Sequence, residues 1–186
     1  MIATIVVIAI VVVLVLMLMG TYNRLVGLRQ TANQAFADID VQLQQRHDLI
    51  PNLVETVKGY AAHESGTLEA VTAARNAATS AATVDQKVPA APLLTGALRP
   101  LFAVSEAYPD LKANQNFLRL QDELSDIENK LAAARRFFNN AVGEANAAAQ
   151  QFPAVLFAAA MGFQQRAFFD VGADRATVAA APSVKF

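Results

Sequence analysis

The chain has 186 residues with 15 Lys+Arg against 16 Asp+Glu, room for a membrane segment plus one domain of ordinary size and no global basic field to draw in nucleic acid. It contains no cysteine, which excludes disulfides, thiolate metal sites, cysteine nucleophiles and a lipid anchor on cysteine. The hydrophobic share of 54% owes much to alanine, which loses no side-chain entropy in a helix.

Ile2 to Met19 is apolar throughout except for Thr4, whose hydroxyl can bond back to a helical carbonyl. Eighteen residues at a rise of ~1.5 Å span ~27 Å, close to the ~30 Å hydrocarbon core of a bilayer. No Lys or Arg precedes the run, and Met17-Leu18-Met19-Gly20-Thr21-Tyr22 offers no A-x-A cleavage pattern. Residues 1–20 are therefore expected to form an uncleaved transmembrane anchor, not a signal peptide. Arg24 and Arg29 follow the run, so the positive-inside rule predicts a single-pass protein of the cell membrane with its N-terminus outside and its domain in the cytoplasm.

From Tyr22 the apolar positions Leu25, Leu28, Ala32, Ala35/Phe36, Ile39 and Leu43 step by three and four, one face of an amphipathic helix continuing from the anchor. Pro51 is expected to break it, with Ile50 outside the helical region and Asp48 capping a new helix. That second helix takes Leu53/Val54, Val57, Ala61, Leu68, Val71, Ala78 and Ala82 as its apolar face. Thr83 to Pro92 reads as a linker, its Pro89-Ala90-Ala91-Pro92 being an ordinary loop and not a docking motif. A short helix over 93–107 follows, with a kink expected at Pro100, and Tyr108-Pro109-Asp110 turns the chain.

The last long helix has the clearest seam: Phe117, Leu120, Leu124, Ile127, Leu131, Ala134, Phe138, Ala141 and Ala145 alternate three and four over about four heptads. Each large apolar residue there stabilises by roughly 1.5–3 kcal/mol when fully buried, against the rest of the bundle or, as in a coiled coil, against another chain. Phe152-Pro153 ends it, and a further apolar piece runs from Ala154 to Phe163. Strand signals are nearly absent. The fold expected is all-α: a transmembrane helix continuing into an antiparallel, four-helix-type bundle over 21–170, with a C-terminal tail, 171–186, assigned no structure.

Several stretches together resemble the LemA family of bacterial membrane proteins: Ile39-Asp40-Val41-Gln42-Leu43, the block Arg46-His47-Asp48-Leu49-Ile50-Pro51-Asn52-Leu53-Val54-Glu55-Thr56-Val57-Lys58-Gly59-Tyr60-Ala61, His63-Glu64, Ala74-Arg75, Tyr108-Pro109-Asp110-Leu111-Lys112-Ala113-Asn114, Phe117, Leu120-Gln121, Glu123-Leu124, Glu128-Asn129, Ala134-Arg135 and Phe152-Pro153. The resemblance covers 22–169 and leaves out the Ala/Pro linker and the tail. It implies an N-terminal membrane helix and a cytosolic-type antiparallel four-helix bundle, and it brings no activity with it.

Catalytic and metal constellations are missing. His63-Glu64-Ser65-Gly66-Thr67 opens like the zinc motif HExxH, but Thr67 stands where the second histidine belongs, so two ligands on one helical face cannot form. None of the five serines sits in a G-x-S-x-G elbow, and no glycine-rich phosphate loop occurs. No enzyme activity, cofactor or metal is expected. The polar residues that interrupt apolar seams are Glu64 and Arg75 on the second helix and Glu128 and Arg135 on the last. Charges near a core are costly unless paired, so they are expected to form a register-fixing network. If those two helices are antiparallel, Glu64 meets Arg135 and Arg75 meets Glu128; if an intervening helix reverses the chain, that pairing is lost. Arg46, His47, Asp48, Asn52 and Lys58 cluster at the expected break, either as caps of a solvated turn or as a docking surface.

Two functions follow from different classes. One is a scaffold whose anchor and apolar seams drive homo-oligomers that organise or shape the lipid bilayer. The other is a membrane-tethered adaptor or regulator that holds a partner, such as a membrane protease or sensor, through the Arg46–Lys58 cluster.

Overall fold

The computed structural model describes residues 1–61 and 63–169; the tail expected over 171–186 lies outside the described residues. Helix is the dominant structure, with no strand among the described residues: α1 spans Ile2–Lys58, α2 Ser65–Ser80, α3 Val84–Ala107, α4 Pro109–Lys112 and α5 Gln115–Gln150, followed by a 3-10 turn at Ala154–Leu156. This is the all-α, bundle-forming class that the periodicity predicts. The chain divides into two compact units, one made of Met1–Ile39 with Ala133–Phe168, the other centred on Asp40–Ala132.

α1 is one helix of 57 residues that contains Pro51, so the expected break and the cap at Asp48 do not occur. A proline inside a helix removes the amide that would bond the carbonyl four residues back, here that of His47. That carbonyl finds another donor: Arg75 Nε donates to His47 O at 2.9 Å. The helix thus continues because a side chain from α2 supplies the missing hydrogen bond. It ends at Lys58, and α2 starts anew at Ser65. The single helix expected from Leu53 to Ala82 is therefore two, and Glu64 marks a helix start instead of interrupting a seam.

The expected linker also proves helical. α3 carries Pro89, Pro92 and Pro100 within its length. Its start is fixed by Gln86, whose Oε1 accepts from the amides of Ala82 at 2.9 Å and Thr83 at 3.3 Å, the return half of a capping box. Ala91, Leu94, Leu98 and Leu101 bury one face, and that burial outweighs the lost amide bonds. α4 is the turn expected at Tyr108-Pro109-Asp110. Asn114 then caps α5: its Oδ1 accepts from Phe117 N at 3.0 Å while its Nδ2 donates to Tyr60 Oη at 2.8 Å.

In the second unit the helices run up, down, up and down. α1 and α3 are parallel, since Asp40 meets Lys87 and Arg46 meets Ala91 and Thr95. α2 runs back along α1 through Arg75 and His47, and α5 runs back through Glu128 with Arg46 and Asn114 with Tyr60. The core joins Ile50, Leu53 and Val57 of α1 to Leu68 and Val71 of α2, with Leu94, Leu98 and Leu101 of α3 and Phe117, Leu120 and Leu124 of α5. Phe102 and Phe117 meet edge-on with centroids 6.4 Å apart, a favoured aromatic geometry.

In the first unit Leu25 packs with Ala148, Ala154, Ala158 and Phe163. After α5 the chain turns at Gly162, whose φ of +79° is open to glycine at no steric cost. It then returns along α5, where Asn146 donates to Arg166 O and accepts from Arg166 N, both at 2.9 Å. Arg166 Nη1 reaches Asn33 Oδ1 at 2.7 Å. Tyr22 meets Phe163 edge-on at 5.6 Å, and the Arg29 guanidinium stands 4.9 Å over the same ring, a cation–π contact.

Candidate functional site

Two features carry functional information: an unburied apolar helix end in the first unit and a buried polar hub in the second. Every residue from Met1 to Gly20 is exposed, and the most apolar stretch of α1 is 0% buried. It is long and apolar enough to cross a bilayer, and an apolar surface of this extent is foreign to a water-facing monomer. Thr21, the first hydroxyl after the run, bonds back to Met17 O at 2.8 Å. The helix over Gln86–Ala107 also has the length and composition of a span, but its apolar face lies in the bundle core.

The hub is built on α1. With Pro51 tolerated, Ile39, Leu43, Arg46, Ile50, Leu53 and Val57 follow one another by alternating steps of four and three, and all of them are buried. Arg46 therefore falls on the core stripe and is 0% exposed. Its Nη1 donates to Ala91 O at 3.3 Å, and its Nη2 donates to Thr95 Oγ1 at 2.8 Å and pairs with Glu128 Oε1 at 2.6 Å. One guanidinium thus ties α1 to α3 and α5 in a single register. Beside it Lys87 Nζ bonds Asp40 Oδ1 at 2.8 Å, a second α1–α3 tie. His47 is buried as well, and its imidazole is held below the ordinary 6.5, first by desolvation and then by the nearby Arg46 and Arg75 charges.

The expected network is therefore re-partnered. α3 reverses the chain, so α2 and α5 run parallel in the second unit, and the pairings that an antiparallel arrangement would allow do not apply. Glu128 pairs with Arg46 in place of Arg75, and Arg75 serves the His47 carbonyl. Glu64 stands half-buried at the start of α2 without a side-chain capping bond. Arg135 is half-buried on α5 in the first unit. Of the candidate docking cluster, Arg46 and His47 face the interior, a correction that follows from the unbroken helix. Asp48, Asn52 and Lys58 remain exposed, with Asp48 Oδ1 accepting from Gln44 Nε2 at 2.8 Å. Asp40, Lys87 and Thr95 belong to the hub with no spacing in the sequence to mark them.

A cleft of about 90 Å³ opens among Asp40, Gln44, His47, Thr79 and Lys87, well under the ~300 Å³ at which small-molecule pockets begin. Among the described residues no group of His, Asp or Glu is placed to hold a metal ion. The chemistry of the hub is that of a helix clamp: charge-assisted hydrogen bonds that fix which turns of α1, α3 and α5 face one another.

A family model described as the LemA family matches residues 35–186. The match takes in both the Ala/Pro-rich stretch and the C-terminal residues, which the resemblance read from the sequence left out. No curated protein matches the chain.

Proposed function

This chain belongs to the LemA family, and we propose that it is a membrane-anchored helical scaffold that self-associates and organises or shapes the bilayer holding it, without catalytic activity of its own. The observation that carries this reading is α1 itself: one uninterrupted helix supplies both the bare apolar segment and the Arg46 clamp. Such an element links whatever the domain assembles into directly to the lipid. Self-association is supported by large apolar side chains exposed on the domain, among them Val41, Leu93, Leu118 and Phe137, surfaces that a second copy can cover.

Orientation follows from charge. The first unit holds five arginines (Arg24, Arg29, Arg135, Arg136 and Arg166) against Asp38 and Glu144, which favours a domain on the cytoplasmic side, next to anionic headgroups. The test is reconstitution of the full chain into vesicles with a cysteine cross-linker bridging Leu118→Cys copies, read by gel and by electron cryomicroscopy. A cross-linked dimer band together with coated or reshaped vesicles supports the scaffold; undistorted vesicles holding un-cross-linked chains overturn it. The alternative, a tethered adaptor, rests on the exposed Asp48, Asn52 and Lys58. It is favoured by co-purification of one membrane protein that is lost on charge reversal at Asp48 and Lys58.

A further inference from the structure

The segment after α5 exposes large apolar side chains where a loop in water would carry polar ones. Phe152 and Leu156 are each 74% exposed, Val155 53% and Met161 52%. No charged residue lies between Glu144 and Arg166. Ala154, Ala158 and Phe163 turn inward to the core of the first unit, so the loop is held in place with its other face bare.

Its position on α1 says what covers that face. A cleft bounded by Leu16, Met17 and Gly20 of α1 is closed on its other side by Phe152, Pro153 and Ala154. Leu16 and Met17 belong to the last turn of the apolar run that ends at Met19. With ~27 Å of helix filling a ~30 Å hydrocarbon core, that turn lies at the boundary between acyl chains and headgroups. A loop packed beside it lies at the same depth. Arg24, one turn farther along α1, borders the same cleft and is exposed, suited to phosphate oxygens at the headgroup level.

We propose that Phe152–Met161 is a second membrane contact, inserted into the headgroup–acyl boundary of an anionic lipid surface beside the α1 anchor. The inference rests on the reading of α1 as a membrane anchor. Aromatic and branched apolar side chains suit that depth, where their bodies reach acyl chains while the backbone stays near water. Two attachments, a span and an interfacial loop, fix the first unit against the bilayer where the span alone would leave it free to swivel.

The chain has no native cysteine, so a single environment-sensitive NBD fluorophore can be placed at will. Full-length Leu156→Cys, Val7→Cys and Asp122→Cys variants are labelled in phosphatidylcholine–phosphatidylglycerol vesicles carrying a nitroxide either near the headgroup or deep in the acyl chain. The Leu156 label is expected to shift to the blue and to lose most emission to the headgroup-level nitroxide. The Val7 label should lose most to the deep nitroxide, and the Asp122 label should respond to neither. A Leu156 label that behaves like Asp122 while Val7 is quenched overturns the loop contact and leaves the anchor intact. Blue-shifted Leu156 emission untouched by either nitroxide means that protein covers the loop, which also overturns the proposal. A Val7 label quenched by neither overturns the anchor reading itself.

Discussion

Replacing Arg75 with methionine removes the donor that the His47 carbonyl receives in place of the amide lost at Pro51. A hydrogen bond from a charged donor contributes about 1.5–3 kcal/mol, and an interior carbonyl left without a donor costs a similar amount. Arg75 is only half-buried, so water recovers part of the loss, and about 1–2 kcal/mol is expected. For a chain of this size that lowers Tm by roughly 3–6 °C. In a Pro51→Ala background residue 51 regains its amide and bonds the same carbonyl, so Arg75→Met should cost about 1 kcal/mol less there. The assay is a double-mutant cycle on the full-length protein in mild detergent, followed by circular dichroism on heating and by chemical unfolding. An equal cost of Arg75→Met in both backgrounds would refute the reasoning, because it would mean that the arginine does not compensate for the proline.

The Arg46 hub makes a contrasting prediction. Glu128→Ala leaves a fully buried guanidinium without its carboxylate partner and should destabilise by about 2–4 kcal/mol, whereas Arg46→Met combined with Glu128→Leu should recover most of that loss; a double variant no better than Glu128→Ala would contradict the clamp. The lowered pKa of His47 fixes the sign of a pH effect. The unfolded chain binds the imidazole proton more readily than the folded one, so stability is fully present above the ordinary 6.5 and falls as pH drops from there toward the depressed folded value. His47→Phe should flatten that decline below the ordinary 6.5, measured as Tm against pH; an unchanged slope would place the titration elsewhere.

Where sequence and structure agree, the signal was periodic. The three-four seam from Phe117 to Ala141 reappears as buried Phe117, Leu120, Leu124, Ile127, Leu131, Phe138 and Ala141, because helical geometry alone puts those positions on one face. The apolar run before Gly20 was legible for the same reason, being uniform. The differences gather at prolines. Pro51, Pro89 and Pro92 break helices by a local rule, yet here all three lie inside helices, and at Pro51 the compensation comes from Arg75 in another helix. Sequence spacing does not encode a partner 28 residues away.

The unbroken helix at Pro51 also moves the polar cluster. With a break at Pro51, Arg46 and His47 belong to an exposed turn; without one, Arg46 continues the stripe Ile39, Leu43, Ile50, Leu53 into the core. That stripe is present in the sequence, and the proline within it is what masks the hub. The partners of the hub were less accessible. Whether Glu128 meets Arg46 or Arg75 depends on whether α3 reverses the chain, and the sequence marks only 93–107 of that helix, its first part being masked by Pro89 and Pro92. The four exposed apolar residues of the 152–161 loop were visible as composition, but their place beside the last turn of the apolar run emerges only from packing.

The central claim, self-association of a membrane-held chain, is tested most directly by the mass of the full-length protein extracted into native nanodiscs, measured by light scattering alongside particle imaging. The account predicts a uniform particle containing many copies. A clean monomer at concentrations matching the membrane would contradict it and leave the exposed Asp48, Asn52 and Lys58 surface as the place to seek a partner.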